Sequence, residues 1–365
     1  MIDKFFSLFS HDIGIDLGTA NTLIWVKGKG IVIREPSVVA MHKKTKKIIA
    51  IGTEAKRMVG KTPASIITVS PLRGGVIADF DATAAMISHY IQEVHEVGNI
   101  LPAVWSRPKV VIGIPSSVTE VERRAVWEAA LNAGARKAFL IEEPMAAAIG
   151  ENVSVFQPTG IMIVDIGGGT TEIAVLSLGG IVVSKSLRLA GQDMDKAIVH
   201  YVRLKHGLIM GEATAEDVKI KIGSAYQSQK SSIRQAQDKN QKEESRNKMA
   251  VVRGRDIETG LPKSLRLTEV EIREALAPVL GEIIEEIAGV LRDAPPELTN
   301  DILTHGILLT GGGSMLKGLD QLIIERAHIP VVLSEDPLTS VVRGTGKVLE
   351  DDTFLQRVKV VGGLR

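Results

Sequence analysis

The sequence predicts an α/β protein built from two related lobes that face each other across a cleft. Three observations lead to this prediction. The chain has 365 residues, which exceeds the size of one typical domain. Short apolar runs typical of strands alternate with segments of helical spacing along its length. A glycine-containing motif near the amino terminus recurs 149 residues later, and two facing copies of one unit would enclose a cleft.

Composition and missing motifs exclude several other classes of protein. The chain carries 44 Lys and Arg against 43 Asp and Glu, a formal net charge of +1, so we expect no nucleic-acid partner. It has no cysteine, which excludes thiolate catalysis and cysteine-ligated zinc. It contains no Gly-x-x-x-x-Gly-Lys-Ser/Thr motif, so it is not a Walker-type NTPase. No apolar run approaches the roughly 20 residues that a membrane-spanning helix needs.

Strands and helices alternate in the first half of the chain. Residues 12–52 alternate short apolar runs with Gly, Pro and Asn, which predicts a meander of strands. The next predicted elements are a helix over 79–98, a strand over 109–114, a helix opened by a Thr119–Glu122 capping box, a strand over 137–142 and a helix from Glu143. This order is typical of an α/β fold.

The second half repeats this style with longer helices. Residues 160–188 predict strands joined by glycine turns. The elements predicted after them are helices over 192–207, 213–223 and 268–292, a strand over 307–309, a helix from about Met315, a strand over 331–333 and a last helix over 338–350. Between them, Ser224–Lys248 contains almost no apolar residues, which predicts a solvated excursion from the fold.

The repeated motif has the chemistry of a phosphate site. Residues 13–22 and 162–171 each run from an apolar strand through Asp, an apolar residue and Gly into small and hydroxyl residues. Glycine permits a tight turn that aims consecutive backbone N–H groups at one anion. Either hairpin alone could be an ordinary glycine β-turn, but two matching copies favour a shared phosphate site.

Asp16 and Asp165 end the two strands at the same predicted cleft. A carboxylate that points at a polyphosphate is repelled by it unless a cation lies between them. Mg²⁺ that keeps several waters is the usual solution. The two aspartates are therefore predicted as the metal-side acids of the site.

Three further segments could contribute to the site. Gly311–Ser314 follows a buried strand and opens a predicted helix, a place where ligands can lie against backbone. Glu143 starts a helix and could position a water, although Glu142 is a competing candidate and a helix-terminal acid is the alternative reading. Glu216 and Lys219 could hold a nucleoside, or could simply form an i,i+3 ion pair.

The motifs together resemble the actin, heat-shock-chaperone and sugar-kinase ATPase superfamily. Within it, the chain is similar to the bacterial rod-shape-determining actins of the MreB family. The matching segments are Asp12–Thr22, Glu35–Val38, Gly60–Pro63, Gly75–Asp79, Val121–Ala125, Ile141–Gly150, Val164–Glu172, Gly260–Pro262 and Leu309–Ser314. They span nearly the whole chain. The segment Ser224–Lys248 departs from the pattern because it is longer than the family usually has there.

The resemblance implies an actin-like ATPase fold of two ribonuclease-H-like lobes with small subdomains around a nucleotide cleft. The implied divisions are a membrane-binding segment over 1–10, lobe I over 11–152 with a small subdomain at about 34–79, lobe II over 153–335 with a small subdomain at about 192–265, and a C-terminal helix over 336–365 that returns to lobe I.

The resemblance also implies a role for each site residue, with ATP and Mg²⁺ as cofactors. Glu143 would align the hydrolytic water, and Asp16 and Asp165 would act with it on the magnesium side. The implied nucleotide-binding residues are Gly18, Thr19, Ala20, Asn21, Gly167, Gly168, Gly169, Thr170, Glu216, Lys219, Ile220, Lys221, Ile222, Gly311, Gly312, Gly313 and Ser314.

The implied function is slow ATP hydrolysis by a bacterial actin whose membrane-associated filaments maintain rod shape by organising cell-wall synthesis. Implied partners are further copies of the chain in paired protofilaments, the inner face of the cytoplasmic membrane, and membrane proteins of cell-wall elongation. A chaperone-like ATPase, a plasmid-segregation actin and a small-molecule kinase of the same superfamily are the alternatives.

Two apolar segments are candidates for membrane contact in a cytoplasmic, peripherally bound protein. Ile2, Phe5, Phe6 and Phe9 fall on one face of a predicted amphipathic helix. Leu101 and Trp105 lie in a loop between a helix and a strand. The alternative for both segments is packing against the body of the lobe.

Overall fold

The computed structural model describes residues 10–96, 107–226 and 248–360, and the first half of this part alternates strands and helices. The strands are β1 (Ile13–Leu17), β2 (Asn21–Val26), β3 (Gly30–Pro36), β4 (Val39–His42), β5 (Ile48–Ile51), β6 (Ile66–Val69), β7 (Leu72–Arg73), β8 (Val76–Ile77), β9 (Lys109–Ile114) and β10 (Lys137–Glu142). The helices are α1 (Thr53–Met58), α2 (Phe80–Glu96), α3 (Glu120–Asn132) and α4 (Glu143–Gly150).

The second half has fewer strands and longer helices. Its strands are β11 (Ile161–Ile166), β12 (Thr171–Ser177), β13 (Gly180–Leu187), β14 (Leu208–Ile209), β15 (Met249–Asp256), β16 (Pro262–Thr268), β17 (Ile307–Thr310) and β18 (Val331–Leu333). Its helices are α5 (Gly191–His206), α6 (Glu212–Ile222), α7 (Glu269–Asp293), α8 (Pro296–His305), α9 (Leu319–Ala327), α10 (Ser340–Val348) and α11 (Asp352–Val358), with a 3₁₀ turn at Gly312–Met315.

Two five-stranded sheets of the same topology form the centre of the structure. Their strand orders are β10-β9-β1-β2-β3 and β13-β12-β11-β17-β18. In each sheet the strand that carries the aspartate pairs antiparallel with the next strand and parallel with a later one. Asp16 lies opposite Gly113 of β9, and Asp165 lies opposite Thr310 of β17. The sequence repeat is therefore a repeat of fold, and the predicted α/β architecture is confirmed.

Each large sheet carries a smaller one. The three-stranded sheet β5-β4-β6 follows the first hairpin region in the chain, and the sheet β14-β15-β16 accompanies helices α5 and α6. A two-stranded ribbon, β7–β8, leads into α2.

A hydrophobic cluster shared by both sheets joins the two halves. It contains Val111 and Ile141 from the first sheet and Ile163 and Ala174 from the second, packed around α4 and α10. Helix α10 comes from the end of the chain but packs against α4, β1 and β9 of the first half. The chain terminus therefore ties the first half to the second.

Side-chain caps fix two of the long helices where the sequence places them. Thr119 and Glu122 form a reciprocal capping box at the start of α3, as predicted. Thr268 and Glu271 form a second one at the start of α7. Helix α7, which the sequence predicts over 268–292, is the longest described helix, and its buried residues lie on one face.

Two predicted helices near the C terminus are wrong in detail. The helix predicted from about Met315 is instead a 3₁₀ turn, and α9 starts only at Leu319, because Gly318 adopts a left-handed conformation with φ of 76°. The last helix predicted over 338–350 is two helices, α10 and α11, and Asp351 caps the second one. Local glycine and capping geometry decides these boundaries.

Several predictions lie outside the described residues. They concern Ile2, Phe5, Phe6 and Phe9 at the N terminus, Leu101 and Trp105 in the loop before β9, and all but the ends of Ser224–Lys248. Among the helices that the structure does describe, none has both the length and the apolar character needed to cross a membrane.

The crossing of α4 and α10 leads to a stability prediction. A Cβ at Gly344 would overlap the carbonyl oxygen of Ala146, whereas a Cβ at Gly281 on the exposed side of α7 meets nothing within 4 Å. We expect Gly344→Ala to lower the free energy of unfolding by about 1–3 kcal/mol through overpacking. Gly281→Ala should raise it by up to about 1 kcal/mol. Urea denaturation of both variants checks this, and equal effects would contradict the close packing of α4 on α10.

Candidate functional site

A cavity of about 500 Å³ lies between the two sheets, at the ends of β1 and β11. This volume is within the usual range for a small-molecule or cofactor site. Most residues predicted for the site line it: Asp16, Gly18, Thr19, Ala20, Asn21, Glu143, Asp165, Gly167, Gly168, Gly169, Thr170, Glu216, Lys219, Ile220, Gly311, Gly312 and Gly313. Residues that are far apart in the chain therefore surround one space.

The two glycine hairpins face each other directly. A Cβ at Gly168 would overlap the Cβ of Ala20, and a Cβ at Gly169 would lie 2.6 Å from the hydroxyl oxygen of Thr19. Real side chains do not approach so closely, so these positions require glycine for the approach of the opposite hairpin as well as for their own turn. The pair forms the floor of the cavity.

Neighbouring elements hold both hairpins in place. The backbone N–H of Gly75 donates to Thr19 Oγ1 at 3.0 Å. At the start of α5, the N–H groups of Gly191 and Gln192 donate to the carbonyl oxygens of Gly167 and Gly168 at 3.1 and 2.8 Å. The carbonyls of the second hairpin are thus bound to a helix N-terminus.

Three carboxyl groups enter the cavity without a positive partner. Burial raises the pKa of Asp16 to about 7. Burial, then Asp16 and Glu172, raise the pKa of Asp165 to about 8. Burial and the nearby acids raise the pKa of Glu143 well above its ordinary value. None of the three forms an ion pair within the described part of the chain, so together they favour an added cation.

A fourth acid, Glu172, was not predicted. It lies on β12 opposite Asp165 and is buried. Its carboxylate accepts a hydrogen bond from the Ser186 hydroxyl, and a second from the backbone N–H of Ser116 at 2.9 Å. Ser116 follows β9, so this bond joins the two halves beside the cavity. Glu172 belongs to the matching segment Val164–Glu172. Its position opposite Asp165 in the hairpin was the feature that could have indicated a place beside the cavity.

The acids suit a hydrated magnesium ion better than a directly caged metal. Among the described residues, no group of three or more His, Cys, Asp or Glu side chains is close enough to hold a metal ion. Mg²⁺ in nucleotide sites usually takes one or two carboxylates together with waters and phosphate oxygens. Asp16 and Asp165, buried and unpaired at the cavity, fit that pattern.

Helix α6 forms another wall of the cavity. Lys219 pairs with Asp195 at 2.8 Å and donates to the carbonyl oxygen of Gly191 at 2.7 Å. Glu216 pairs instead with Lys56 of α1 at 3.1 Å. The simple i,i+3 pair between Glu216 and Lys219 is therefore not formed, because each side chain has a partner on another element.

Three predicted nucleotide-binding residues do not line the cavity. Lys221 is exposed, and Ile222 is buried in the core beneath α6. The helical period turns these positions away from the side that carries Glu216 and Ile220. Ser314 is buried, and its hydroxyl donates to the carbonyl oxygen of Gly311. It therefore stabilises the glycine turn without lining the cavity.

The third glycine turn is packed against the metal-side acid. Gly311 has φ of 84°, and a Cβ there would overlap a carboxylate oxygen of Asp165. This close approach requires glycine.

Other residues that line the cavity were not predicted: Gly75, Gly191, Gln192, Met194, Asp195, Met315, Leu316, Lys317, Pro337, Leu338 and Val341. They come from loops and the starts of helices, and of them only Gly75 belongs to a segment that matches the family.

Comparison with known proteins identifies the family. The family model described as "MreB/Mbl protein" matches residues 10–357. The chain belongs to the MreB/Mbl family. The resemblance inferred from the sequence motifs is confirmed, and the match includes every element that lines the cavity.

Named members of the family are similar over almost their whole length. The chain is 48% identical over 354 residues to the cell shape-determining protein MreB of Escherichia coli (strain K12), covering 96% of both chains. It is 44% identical over 353 residues to the cell shape-determining protein Mbl of Bacillus subtilis (strain 168), covering 97% of this chain and all of that one.

Solved structures of a further relative show the same fold. Crystal structures of MreB5 of Spiroplasma citri, bound to ADP or to AMPPNP, are 35% identical to this chain with a TM-score of 0.84. They cover 96% of this chain and 98% of theirs. The actin-like fold predicted from the sequence is confirmed.

The raised pKa of Asp165 predicts a pH dependence of stability without nucleotide and metal. Between pH 4 and 8 the folded protein keeps a proton on Asp165 that the unfolded chain has lost, so the free energy of unfolding falls as the pH rises. We expect Asp165→Asn to weaken this fall, measured by urea unfolding in EDTA at pH 5 and pH 8.

The matched control is Asp256→Asn. Asp256 is a partly buried carboxylate away from the cavity, and its hydrogen bond from Lys263 lowers its pKa to about 2, so it is ionised in both states across this range. Its replacement should leave the pH dependence unchanged. If Asp165→Asn keeps the same pH dependence of unfolding free energy as wild type, Asp165 is not protonated in the folded protein without nucleotide and metal.

Proposed function

We propose that the protein binds ATP with Mg²⁺ in the cavity, hydrolyses it slowly, and couples hydrolysis to assembly into filaments. The observation that carries this proposal is the meeting of two equivalent glycine hairpins with three unpaired carboxyl groups. Backbone N–H groups of the hairpins suit phosphate oxygens. The carboxyl groups suit a magnesium ion beside those phosphates.

The proposed nucleotide site uses the hairpins, α6 and the third glycine turn. Residues 18–21 and 167–170 would bind the phosphates from opposite sides. Glu216, Lys219 and Ile220 on α6 and residues 311–313 would hold the nucleoside. The S. citri MreB5 structures contain ADP and AMPPNP. Because this chain has the same fold, they support a nucleotide as the ligand of its cavity.

Asp16 and Asp165 would hold the magnesium ion, through waters and from both sheets. A bound cation neutralises phosphate charge and favours the ionised form of nearby carboxyl groups. Glu143 would then be a carboxylate at the start of α4, able to orient a water and accept its proton. Glu172 would position the two sheets, since it accepts a hydrogen bond from Ser116 across the cleft at 2.9 Å.

We also propose a cellular role for the assembled protein. Its relatives are named cell shape-determining proteins. Filaments on the inner face of the cytoplasmic membrane, in contact with membrane proteins of cell-wall elongation, would maintain rod shape. The apolar side chains of Ile2, Phe5, Phe6 and Phe9, which follow helical spacing in the sequence, support membrane contact, and many copies in a filament would add avidity to a weak single anchor.

Replacement of Glu143 tests the hydrolytic role. We expect Glu143→Gln to keep nucleotide affinity and to reduce phosphate release by about 10²–10⁴-fold, because the group that accepts the proton is lost. Phosphate release from assembled protein measures the rate, and a fluorescent ATP analogue measures affinity. Glu142→Gln is the matched control and should hydrolyse normally. If the control is inactive and Glu143→Gln is active, the roles of the two neighbours are exchanged.

Assembly and membrane contact are tested together. We expect the full chain to pellet with ATP and Mg²⁺ but not with EDTA, and to float with vesicles that contain anionic phospholipid. The double variant Phe5→Asp/Phe6→Asp should pellet like wild type and lose flotation, since charge prevents insertion of the apolar face. A protein that stays monomeric with ATP would contradict the filament proposal and favour a superfamily ATPase of another kind.

A further inference from the structure

A largely buried ion pair joins helices α5 and α6 at the wall of the cavity. The Lys219 ammonium group contacts an Asp195 carboxylate oxygen at 2.8 Å, and both side chains are mostly buried. Burial raises the pKa of Asp195 to about 6, although Lys219 opposes the rise, so the carboxyl group is ionised at pH 7.5. Both residues line the cavity. A buried ion pair adds little net stability, but it fixes the position of the ammonium group.

The same ammonium group is hydrogen-bonded to the first turn of α5. Lys219 Nζ donates to the carbonyl oxygen of Gly191 at 2.7 Å. A Cβ at Gly191 would lie 3.6 Å from this nitrogen, so the ammonium group packs directly on the backbone. Asp195 and Gly191 therefore use two of the three N–H donors of Lys219, and one remains for a ligand.

The peptide group that accepts this bond also holds the second glycine hairpin. The carbonyl oxygen of Gly191 and the N–H of Gln192 belong to one peptide unit. That N–H donates to the carbonyl oxygen of Gly168 at 2.8 Å. A charged donor at the oxygen of a peptide polarises the unit and strengthens the bond that its N–H makes. The contacts from Asp195 to Gly168 therefore form one polarised chain through Lys219 and the start of α5.

The bonds from α5 fix the direction of the hairpin N–H groups. In a trans peptide the C=O and the N–H point in opposite directions, and the described peptides of this chain are trans. The carbonyl oxygens of Gly167 and Gly168 point at α5, where they accept hydrogen bonds at 3.1 and 2.8 Å. The N–H groups of Gly168 and Gly169 therefore point away from α5, and both residues line the cavity.

We propose that Asp195 is a positioning residue for phosphate binding: it holds Lys219 against Gly191 and thereby fixes the peptide units of the second hairpin. This inference rests on the proposed nucleotide site and adds to it a residue that acts through Lys219. A donor that is already oriented needs no rearrangement when an anion binds, so fixed peptides bind phosphate more tightly than mobile ones. Lys219 then acts on the phosphates through the backbone, and its aliphatic stem remains for the nucleoside.

A purely electrostatic role for Asp195 predicts the opposite effect on binding. Asp195 is an acid at the wall of a cavity that would bind a polyphosphate, so its charge by itself repels the ligand. Its removal would also free a donor of Lys219 for a direct phosphate contact. If charge alone matters, loss of the carboxylate strengthens nucleotide binding. If Asp195 positions the hairpin, the same change weakens binding, so the sign of the effect distinguishes the two roles.

Asp195→Asn tests the positioning role, because it removes the charge and keeps the shape of the side chain. We expect about a tenfold loss of affinity for ATP with Mg²⁺, measured by competition with a fluorescent ATP analogue. Inorganic tripolyphosphate should lose affinity equally and adenosine should not, since the hairpin would bind phosphate alone. The matched control is Asp217→Asn, which changes an exposed acid of α6 outside the cavity lining and should leave affinity unchanged.

A second variant shows whether Asp195 acts through Lys219. Lys219→Met should weaken ATP binding at least as much, whereas Lys221→Met, at an exposed position of the same helix, should not. The double variant Asp195→Asn/Lys219→Met should bind ATP no more weakly than Lys219→Met alone, because no ammonium group remains for the carboxylate to hold. Losses that multiply in the double variant would show that Asp195 acts independently of Lys219, and would contradict the proposal.

Hydrogen exchange in the ligand-free protein tests the hairpin directly, whatever the ligand is. Asp195→Asn and Lys219→Met should each speed exchange by at least about threefold in the fragment that contains the N–H of Gln192, because its bond to Gly168 is weakened. The two control variants should exchange like wild type. Circular dichroism establishes that each variant is folded.

The outcomes separate this inference from the proposed function. If Asp195→Asn binds ATP as tightly as wild type or more tightly, or if exchange at Gln192 is unchanged, the positioning role is wrong and the nucleotide site stands. If the variant loses affinity for adenosine and keeps it for tripolyphosphate, Asp195 serves the nucleoside and the positioning role is also wrong. If wild type binds no nucleotide with Mg²⁺, the proposed function itself is contradicted.

Discussion

The three buried carboxyl groups at the cavity are the constraint on which the rest of the site depends. Asp16, Asp165 and Glu143 enter one space from three elements, and no Lys, Arg or His of the described residues pairs with them. Burial raises the pKa values of all three groups, and repulsion by neighbouring acids raises those of Asp165 and Glu143 further. Charge without a partner is costly to bury, so the arrangement makes sense if a ligand supplies the positive charge.

Because the carboxyl groups come from both halves, the two sheets must stay in contact and yet be able to change their separation when a ligand binds. A shared apolar cluster around α4 and α10 joins them. Beside the cavity the contacts between them are polar instead: Ser116 with Glu172, and Lys56 with Glu216. A cleft joined by a packed core on one side and by polar contacts on the other can change its opening when its contents change.

The sequence by itself determined the paired hairpins, their aspartates and the repeated α/β pattern. Each of these depends on short-range requirements: glycine where the backbone turns tightly, apolar runs for strands, and Thr–Glu pairs that cap helices. Resemblance to the family then selected Glu143 over its neighbour. Tertiary structure decided what depends on residues distant in the chain, such as Glu172 accepting from Ser116, or Lys219 pairing with Asp195 rather than with Glu216. It also excluded Lys221 and Ile222 from the cavity, because packing alone sets which face of a helix meets the cleft.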